Sequence, residues 1–358
     1  MAVVRPFRAV RYDEERAGPL RDLIAPPYDV IDDAERRAHL DRSPYNVVHL
    51  TLPDSEEEAA RAWREWRERG VLVQEEHPAC WALEQDYVGP DGVARTRRGI
   101  VASLRVEPYE RRVVLPHERT HRGPKEGRLR LLRAVGAQLE PIFLLYDGQP
   151  PVAIGEEPPD VAVDGTRLWR VAAADVESHF ADTQLLIADG HHRYETALAH
   201  HQETGTPESA WMLVVLVSTS DPGLTIFPTH RVFERLPDGA WAGGRSVAAD
   251  AALDELNALP YDRGAAVQVT RDGAVVVEEQ GVLDVELVDR LGHDGISYTP
   301  DAAEALRRVD SGEAEAAYLL RPTRIEDVFA VAQRGGVMPQ KSTYFYPKLV
   351  SGLLFHPL

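Results

Sequence analysis

Between the apolar run at residues 185–188 and an amphipathic stretch beginning at Tyr194, the chain carries Asp189, Gly190, His191, His192 and Arg193 in succession. Gly190 reads as the turn between a strand and a helix, which puts His191, His192 and Arg193 in the first helical turn. Backbone N–H groups are unpaired there, and the positive end of the helix dipole lies there. Cationic side chains at that place are unfavourable until an anion arrives. A phosphate would meet amide donors, a guanidinium and imidazoles together. The plainer reading is a solvated helix start capped by Asp189. A metal reading also exists, because His191 and Glu195 share a helix face at i, i+4. It is weaker: adjacent histidines point about a third of a turn apart, and no further His/Asp cluster completes a ligand set.

Four other stretches concentrate polar chemistry. His117, Glu118, Arg119, Thr120, Arg122, Lys125 and Arg128 crowd a Pro- and Gly-bearing loop ahead of a helix. It reads as an anion-binding loop with one carboxylate, Glu118, available as a base or metal contact. A solvated charged loop is the alternative. Thr229, His230 and Arg231 interrupt an apolar strand, and a polar triplet inside a buried strand needs partners. They mark either a strand end or a pocket wall. Lys341, Ser342, Thr343, Tyr344, Tyr346 and Lys348 offer donors close together, toward a ligand or in a C-terminal tail whose aromatics dock. In "IAPPYDVI" two prolines fix an extended turn ahead of Tyr28 and Asp29. Asp29 could serve catalysis, although such an Asp more often caps a helix, here one starting near Asp32.

Hydrophobic periodicity supplies the elements that must hold these residues. Residues 56–70 predict a helix with Ala59, Trp63 and Trp66 on one face and Gly70 as its stop. Hairpins turn at Asp91-Gly92 and Asp272-Gly273. A helix is expected from Arg128, then a strand through "PIFLLYD". After it come a strand at residues 167–171, a helix at 175–182, the 185–188 strand and the helix opened by His191. "WMLVVLVS" and "LTIFPTHRVF" read as neighbouring strands. Residues 148–165, rich in Pro, Gly and acids, are the expected domain boundary. It separates residues 1–150, an α/β part with the "LPHERT" loop, from residues 151–358, which carry the phosphate turn and the tail. The expected class is α/β or α+β.

The totals exclude several functions. A net charge of −18 over 358 residues argues against a general nucleic-acid or membrane-surface protein, both of which need a basic face. A local basic pocket stays open. The single cysteine, Cys80, permits neither an intramolecular disulfide nor a Cys-based zinc cluster. Charges interrupt the N-terminus before any apolar core, and no run approaches membrane-spanning length. A soluble cytoplasmic protein is expected; its oligomeric state is open.

Together, "APPYDVI", "LPHERT", "GPKEGRLRLLRA", "ADGHHRYETAL", "PTHR" and "MPQKSTYFYPKL" resemble the signatures of a bacterial and archaeal family catalogued as a domain of unknown function, the "ten-fifteen" family. Their joint order is specific and runs over nearly the whole chain. Gly127 departs from the pattern, where the resemblance implies an acidic residue. Residues 189–193 are also similar to the nucleotide-phosphate motif of the ParB/sulfiredoxin-like superfamily, some members of which phosphorylate free L-serine. His191 stands where sulfiredoxins place a cysteine, so sulfiredoxin chemistry is not implied.

These resemblances imply a ParB/sulfiredoxin-like domain with additional mixed-sheet elements. They imply a kinase using ATP or ADP with Mg²⁺ on a small hydroxylated metabolite, free L-serine first. In that reading Gly190, His192 and Arg193 bind the nucleotide together with His117, Lys125, Arg128, Thr229, His230, Arg231, Lys341, Ser342 and Thr343. His191 acts on the phosphates, Asp189 holds Mg²⁺ and Glu118 is the base. The polar motifs are expected to line one pocket. The alternatives are a nucleotide-binding regulatory protein without a small-molecule acceptor, and a metal-dependent phosphoesterase.

Overall fold

The computed structural model describes residues 2–118, 122–152 and 157–358, with backbone alone at 122–124. Arg119 and Thr120, and the Arg122 side chain, lie outside it. The chain divides into two compact units. The first comprises Met1–Val88, Ala94–Leu224 and Pro347–Leu358; the second comprises Gly89–Val93 and Thr225–Tyr346. The boundary expected near residue 150 is therefore corrected. Strands on both sides of it, Ile142–Tyr146 and Trp211–Ser218, pair in one sheet. The Pro- and Gly-rich composition there belongs to a connection leading to the edge strand Val161–Val163.

Among the described residues the first unit is built on a nine-stranded mixed sheet. Its order is Val114–Leu115, Leu185–Asp189, Ile142–Tyr146, Trp211–Ser218, Ala94–Arg105, Cys80–Val88, Thr166–Val171 and Val161–Val163, with Val4–Arg5 on Ala94–Arg105. The run "WMLVVLVS" is apolar throughout because both faces of its strand are covered. On one face Met212, Val214 and Leu216 join Ile100, Ala102 and Leu104. Val176 and Phe180 of the helix Ala173–Phe180, and Tyr194 and Ala197 of the helix His191–Thr204, close that core. On the other face Val101, Leu213 and Val215 meet Leu349, Val350, Leu353 and Leu354 around an apolar cavity of about 20 Å³.

A second core lies among helices. The helix Glu56–Glu68 buries Ala59, Trp63 and Trp66 as its periodicity requires. They pack with Phe355 and with Leu131 and Val135 of the helix Arg122–Val135. That helix starts ahead of the expected Arg128. Pro124 falls in its first turn, where the N–H that proline lacks would have no helical partner anyway. Lys125 and Arg128 thus sit on a helix, at fixed spacing, rather than on a loop. Among the described residues only the end of Arg130 lies within 4 Å of a Cβ added at Gly127, so none of them would clash with an acid there.

The second unit holds a six-stranded antiparallel sheet in the order Arg245–Val247, Gly273–Gln280, Arg263–Thr270, Ala316–Leu320, His230–Phe233 and Ile296–Thr299. "LTIFPTHRVF" is not a neighbour of "WMLVVLVS" as expected. Pro228 splits it: Thr225–Phe227 pairs with Tyr344–Tyr346, and His230–Phe233 joins the six-stranded sheet. Among the described residues no helix is long and apolar enough to cross a membrane.

Candidate functional site

Asp189 ends its strand, and Gly190 turns the chain into the helix His191–Thr204 with φ 97°. Only glycine fits: a Cβ would lie 2.6 Å from Ile142 Cγ2 in a left-handed conformation that disfavours side chains. The N-cap residue, Gly190, supplies no side-chain cap, and Asp189 is not the cap. Its carboxylate is used otherwise. Oδ1 accepts from Lys348 Nζ at 2.5 Å, and Oδ2 accepts from Arg193 at 2.8 Å. Arg193 also donates to the Pro141 carbonyl at 2.5 Å. Burial works against the Asp189 charge, but Lys348 and Arg193 outweigh it and bring its pKa down to about 2. Burial likewise opposes the Lys348 ammonium, and the Asp189 charge and hydrogen bond reverse this, raising its pKa.

The expected Mg²⁺ role of Asp189 is corrected by this geometry. Both of its oxygens are occupied by cations, which leaves a poor ligand for a further cation. Arg193 is an internal strut tied to Asp189 and Pro141, not a side chain projecting to solvent. Arg97 adds a fully buried cation near Asp189; among the described residues it donates to the Pro347 carbonyl and to Gln85. Arg193 and Lys348 therefore pair with one carboxylate, with Arg97 nearby, at the start of a fourteen-residue helix.

His117 and Glu118 approach from the end of the Val114–Leu115 strand, which lies beside the Asp189 strand. The His117 backbone N–H donates to His191 Nε2 at 3.2 Å, and the two rings meet edge-on at 4.7 Å. His117 Nδ1 lies 2.6 Å from the Ile187 carbonyl, which can only accept, so Nδ1 carries the proton. Its Nε2 is then a lone pair, 4.0 Å from Glu118 Oε1. Burial lowers the pKa of both histidines, His191 well below the usual value. His191 is buried, and that burial favours its neutral form. His192, half-buried beside it, adds to that depression.

These neutral histidines have a measurable consequence. His356, buried against Ser103, is pushed down to about 4 in the same unit. An unfolded histidine titrates near pH ~6.5, so on acidification the unfolded chain takes up protons that the folded unit refuses. The stabilisation is complete above pH ~6.5 and is lost as pH falls toward about 4, each unit of depression being worth about 1.4 kcal/mol. Asp189 contributes only further down, its share being lost from pH ~4 toward about 2. Urea denaturation at pH ~7.5 and ~5 checks this: the midpoint is expected to drop at the lower pH, and an equal or higher one contradicts neutral buried histidines.

The remaining expected residues divide by unit. In the first, Lys125 pairs with Glu195 at 3.1 Å. Arg128 donates to the Thr51 carbonyl and lies 3.5 Å over the Tyr28 ring, near Glu140 at 3.9 Å. Glu140 Oε1 accepts from the Tyr28 backbone N–H and the Ser351 hydroxyl. That fixes the "APPYDVI" turn and leaves Asp29 exposed, its charge acting on Lys348 and Arg193. Asp32, not Asp29, caps the helix Asp33–Arg42.

In the second unit, Thr229, His230 and Arg231 are buried and spent on internal partners. His230 Nδ1 accepts from the Leu320 N–H, and Arg231 donates to the carbonyls of Thr229 and Gln340. The Ser342 hydroxyl donates to the Pro339 carbonyl, and the Thr323 hydroxyl to the Ser342 carbonyl. Lys341 is exposed at φ 57°, and Thr343 is half-buried. The structure thus brings together Glu118, His117, Asp189, Gly190, His191, His192, Arg193, Lys125 and Arg128 in one unit, while the "PTHR" and "QKST" residues belong to the other. Of the tail donors Lys348 alone reaches Asp189, and Arg97 joins the site unannounced. Lys348 is visible in the sequence only as one donor in a dense tail, and Arg97 only as one arginine of a hairpin arm.

The fold has remote counterparts among solved structures. A free serine kinase in complex with AMP matches with a TM-score of 0.40 and 17% identity, over 67% of this chain and 89% of that one. A conserved hypothetical protein from Pyrococcus furiosus matches at 0.37 and 17%, over 67% and 92%. SbnI from Staphylococcus aureus, with a C-terminal truncation, matches at 0.38 and 12%, over 69% and 84%. No curated protein matches the sequence. The family model described as Protein of unknown function (DUF1015) matches residues 4–244, most of the first unit and the start of the second, and the chain belongs to that family.

Proposed function

We propose that this chain is a cytoplasmic, nucleotide-dependent kinase that phosphorylates a small hydroxylated metabolite, with free L-serine as the first acceptor to test. One observation carries the reading. Two cations, Arg193 and Lys348, pair with a single carboxylate, with the buried guanidinium of Arg97 nearby, at the N-terminus of a helix whose N-cap residue supplies no side-chain cap. A buried surplus of positive charge is costly unless an anion answers it. Phosphates suit it, because amide donors and the ammonium of Lys348 act on them together. The ParB/sulfiredoxin-like reading of this strand–Gly–helix turn belongs to the same proposal.

Phosphoryl transfer asks mainly for positioning and charge neutralisation. In this proposal the helix amides and Lys348 hold the phosphates of ATP or ADP. The acceptor hydroxyl oxygen attacks the terminal phosphorus, the bond to the bridging oxygen breaks, and the hydroxyl proton passes to Glu118. Arg193 takes no part in the transfer; it keeps Asp189 in place. Asp189 is a poor base, since it is held ionised and doubly paired.

Phosphate transfer from ATP or ADP to a panel of amino acids, polyols and nucleosides, followed by phosphorus NMR, tests the proposal. A phosphorylated small molecule, serine first, is the expected product. Nucleotide binding or hydrolysis with every acceptor left unmodified would instead establish the regulatory alternative, and no nucleotide binding at all would remove both.

A further inference from the structure

Arg97 is a buried charge for which the proposed chemistry has no direct use. It lies in the strand Ala94–Arg105 and is 0% exposed. Its guanidinium donates to Gln85 Oε1 at 2.6 Å and to the Pro347 carbonyl at 2.7 Å, and sits 4.7 Å from the Phe143 ring centre. Its Nε has no acceptor among the described residues. Among the described residues no carboxylate lies within salt-bridge reach of it. A methionine would fill such a place at lower desolvation cost, so the guanidinium must do something packing does not.

What it holds is informative. Pro347 immediately precedes Lys348, which donates to Asp189 at 2.5 Å. Asp189 pairs in register with Phe143, the ring beneath Arg97. Arg97, Pro347, Lys348, Asp189 and Phe143 thus close a ring of contacts across the sheet. The same stretch of strand fastens a second segment. A Cβ on Gly223 would lie 2.0 Å from the Thr96 carbonyl oxygen, and the Tyr87 hydroxyl donates to the Gly223 carbonyl at 2.7 Å. The first unit is left after Leu224 and re-entered at Pro347. Both passages are therefore anchored at Thr96 and Arg97, which makes the Pro347 carbonyl a fixed point from which Lys348 departs.

We infer that Arg97 is a positioning residue: by holding the Pro347 carbonyl it sets the direction in which Lys348 reaches Asp189, and with it the place where a phosphate is received. This rests on the proposed reading of Lys348 as a phosphate contact. Arg97 touches no substrate, and its effect passes through Lys348.

A double-mutant cycle with ATP and ADP as probes tests it. Arg97→Met should weaken nucleotide binding about tenfold, the lower end for a lost charge-assisted contact. In a Lys348→Met background the same change should matter less than about twofold, because its target is gone. Arg97→Met should also speed solvent exchange of the Lys348 ammonium protons, read by NMR without any nucleotide. Should Arg97→Met fail to fold, Gln85→Met, which removes one holder of the guanidinium, is expected to move both readouts in the same direction by less. A loss that persists in the Lys348→Met background overturns the inference, as do unchanged ammonium exchange and unchanged affinity. Normal nucleotide binding by Lys348→Met would instead remove the proposed function, and ammonium exchange would still decide the role of Arg97.

Discussion

Glu118→Gln is expected to hold nucleotide affinity within a few-fold of the parent while turnover with the true acceptor falls roughly 10²–10⁴-fold, the usual scale for loss of a general base. The affinity should survive because Glu118 bonds to none of the buried cations. It stands beside His117, its Oε1 4.0 Å from a ring nitrogen that has no proton to give. The side chain is 26% exposed against 14% for Asp189, so an acceptor hydroxyl can reach it more readily. Glutamine keeps the shape and removes the proton acceptor. Steady-state turnover and equilibrium binding measured on the same preparation separate the two effects. Near-normal turnover would move the base elsewhere. Asp29 is then next, exposed on a turn fixed by Glu140 and electrostatically coupled to Lys348 and Arg193. Asp29→Asn would in that case show the loss that Glu118→Gln did not.

Much of this site could be read from residue types, and the remainder could not for definite reasons. The turn at Asp189-Gly190 was legible because an apolar run, a glycine and a 3.6-residue period meet there, and the structure starts the helix at His191. The charge state of His191 was not. Its neutrality depends on burial and on the His117 N–H, a residue far away in sequence that arrives only when the two strands pair. The engagement of Asp189 and Arg193 with each other was readable in principle, since i and i+4 residues meet on a helix. It competes with the phosphate reading of the same arginine, and local sequence does not arbitrate.

Lys348 needed tertiary information, as 159 positions separate it from Asp189. Arg97 left one signal. Counting back from Val101 in steps of two places it on the covered face of the strand, where a charge demands a reason. The domain boundary failed for a related cause. Composition at residues 148–165 reports a surface connection, whereas unit membership is set by which strands pair, and strands from both sides of that stretch share a sheet. "PTHR" read as either a strand end or a pocket wall, because buried polar groups need partners; a strand starts there at His230, and the partners are the Leu320 N–H and nearby carbonyls of its own unit.

Asp189→Asn is expected to destabilise the first unit by about 3–5 kcal/mol, the range for breaking a buried ion pair by removing one partner. The change is nearly isosteric, so packing contributes little and the loss is electrostatic. Lys348 and Arg193 each donate to one carboxylate oxygen. An amide offers one acceptor oxygen, and its NH₂ must face a second cationic donor. Arg97 donates to neutral groups, so in the variant Arg97, Arg193 and Lys348 would all lack the Asp189 carboxylate that answers their charge. Two outcomes distinguish this from a general loss of stability. Denaturant unfolding should show the full decrement at neutral pH, where the parent carboxylate is ionised, and much less near pH ~2, where it is half protonated. Inorganic phosphate should also raise the midpoint of the variant more than that of the parent, because an anion that binds the folded unit replaces the missing charge. A variant within about 1 kcal/mol of the parent, or one that phosphate does not rescue preferentially, would mean that the cations are balanced by solvent or by other acids. The case for an anion-binding site built around Asp189 would fall with it.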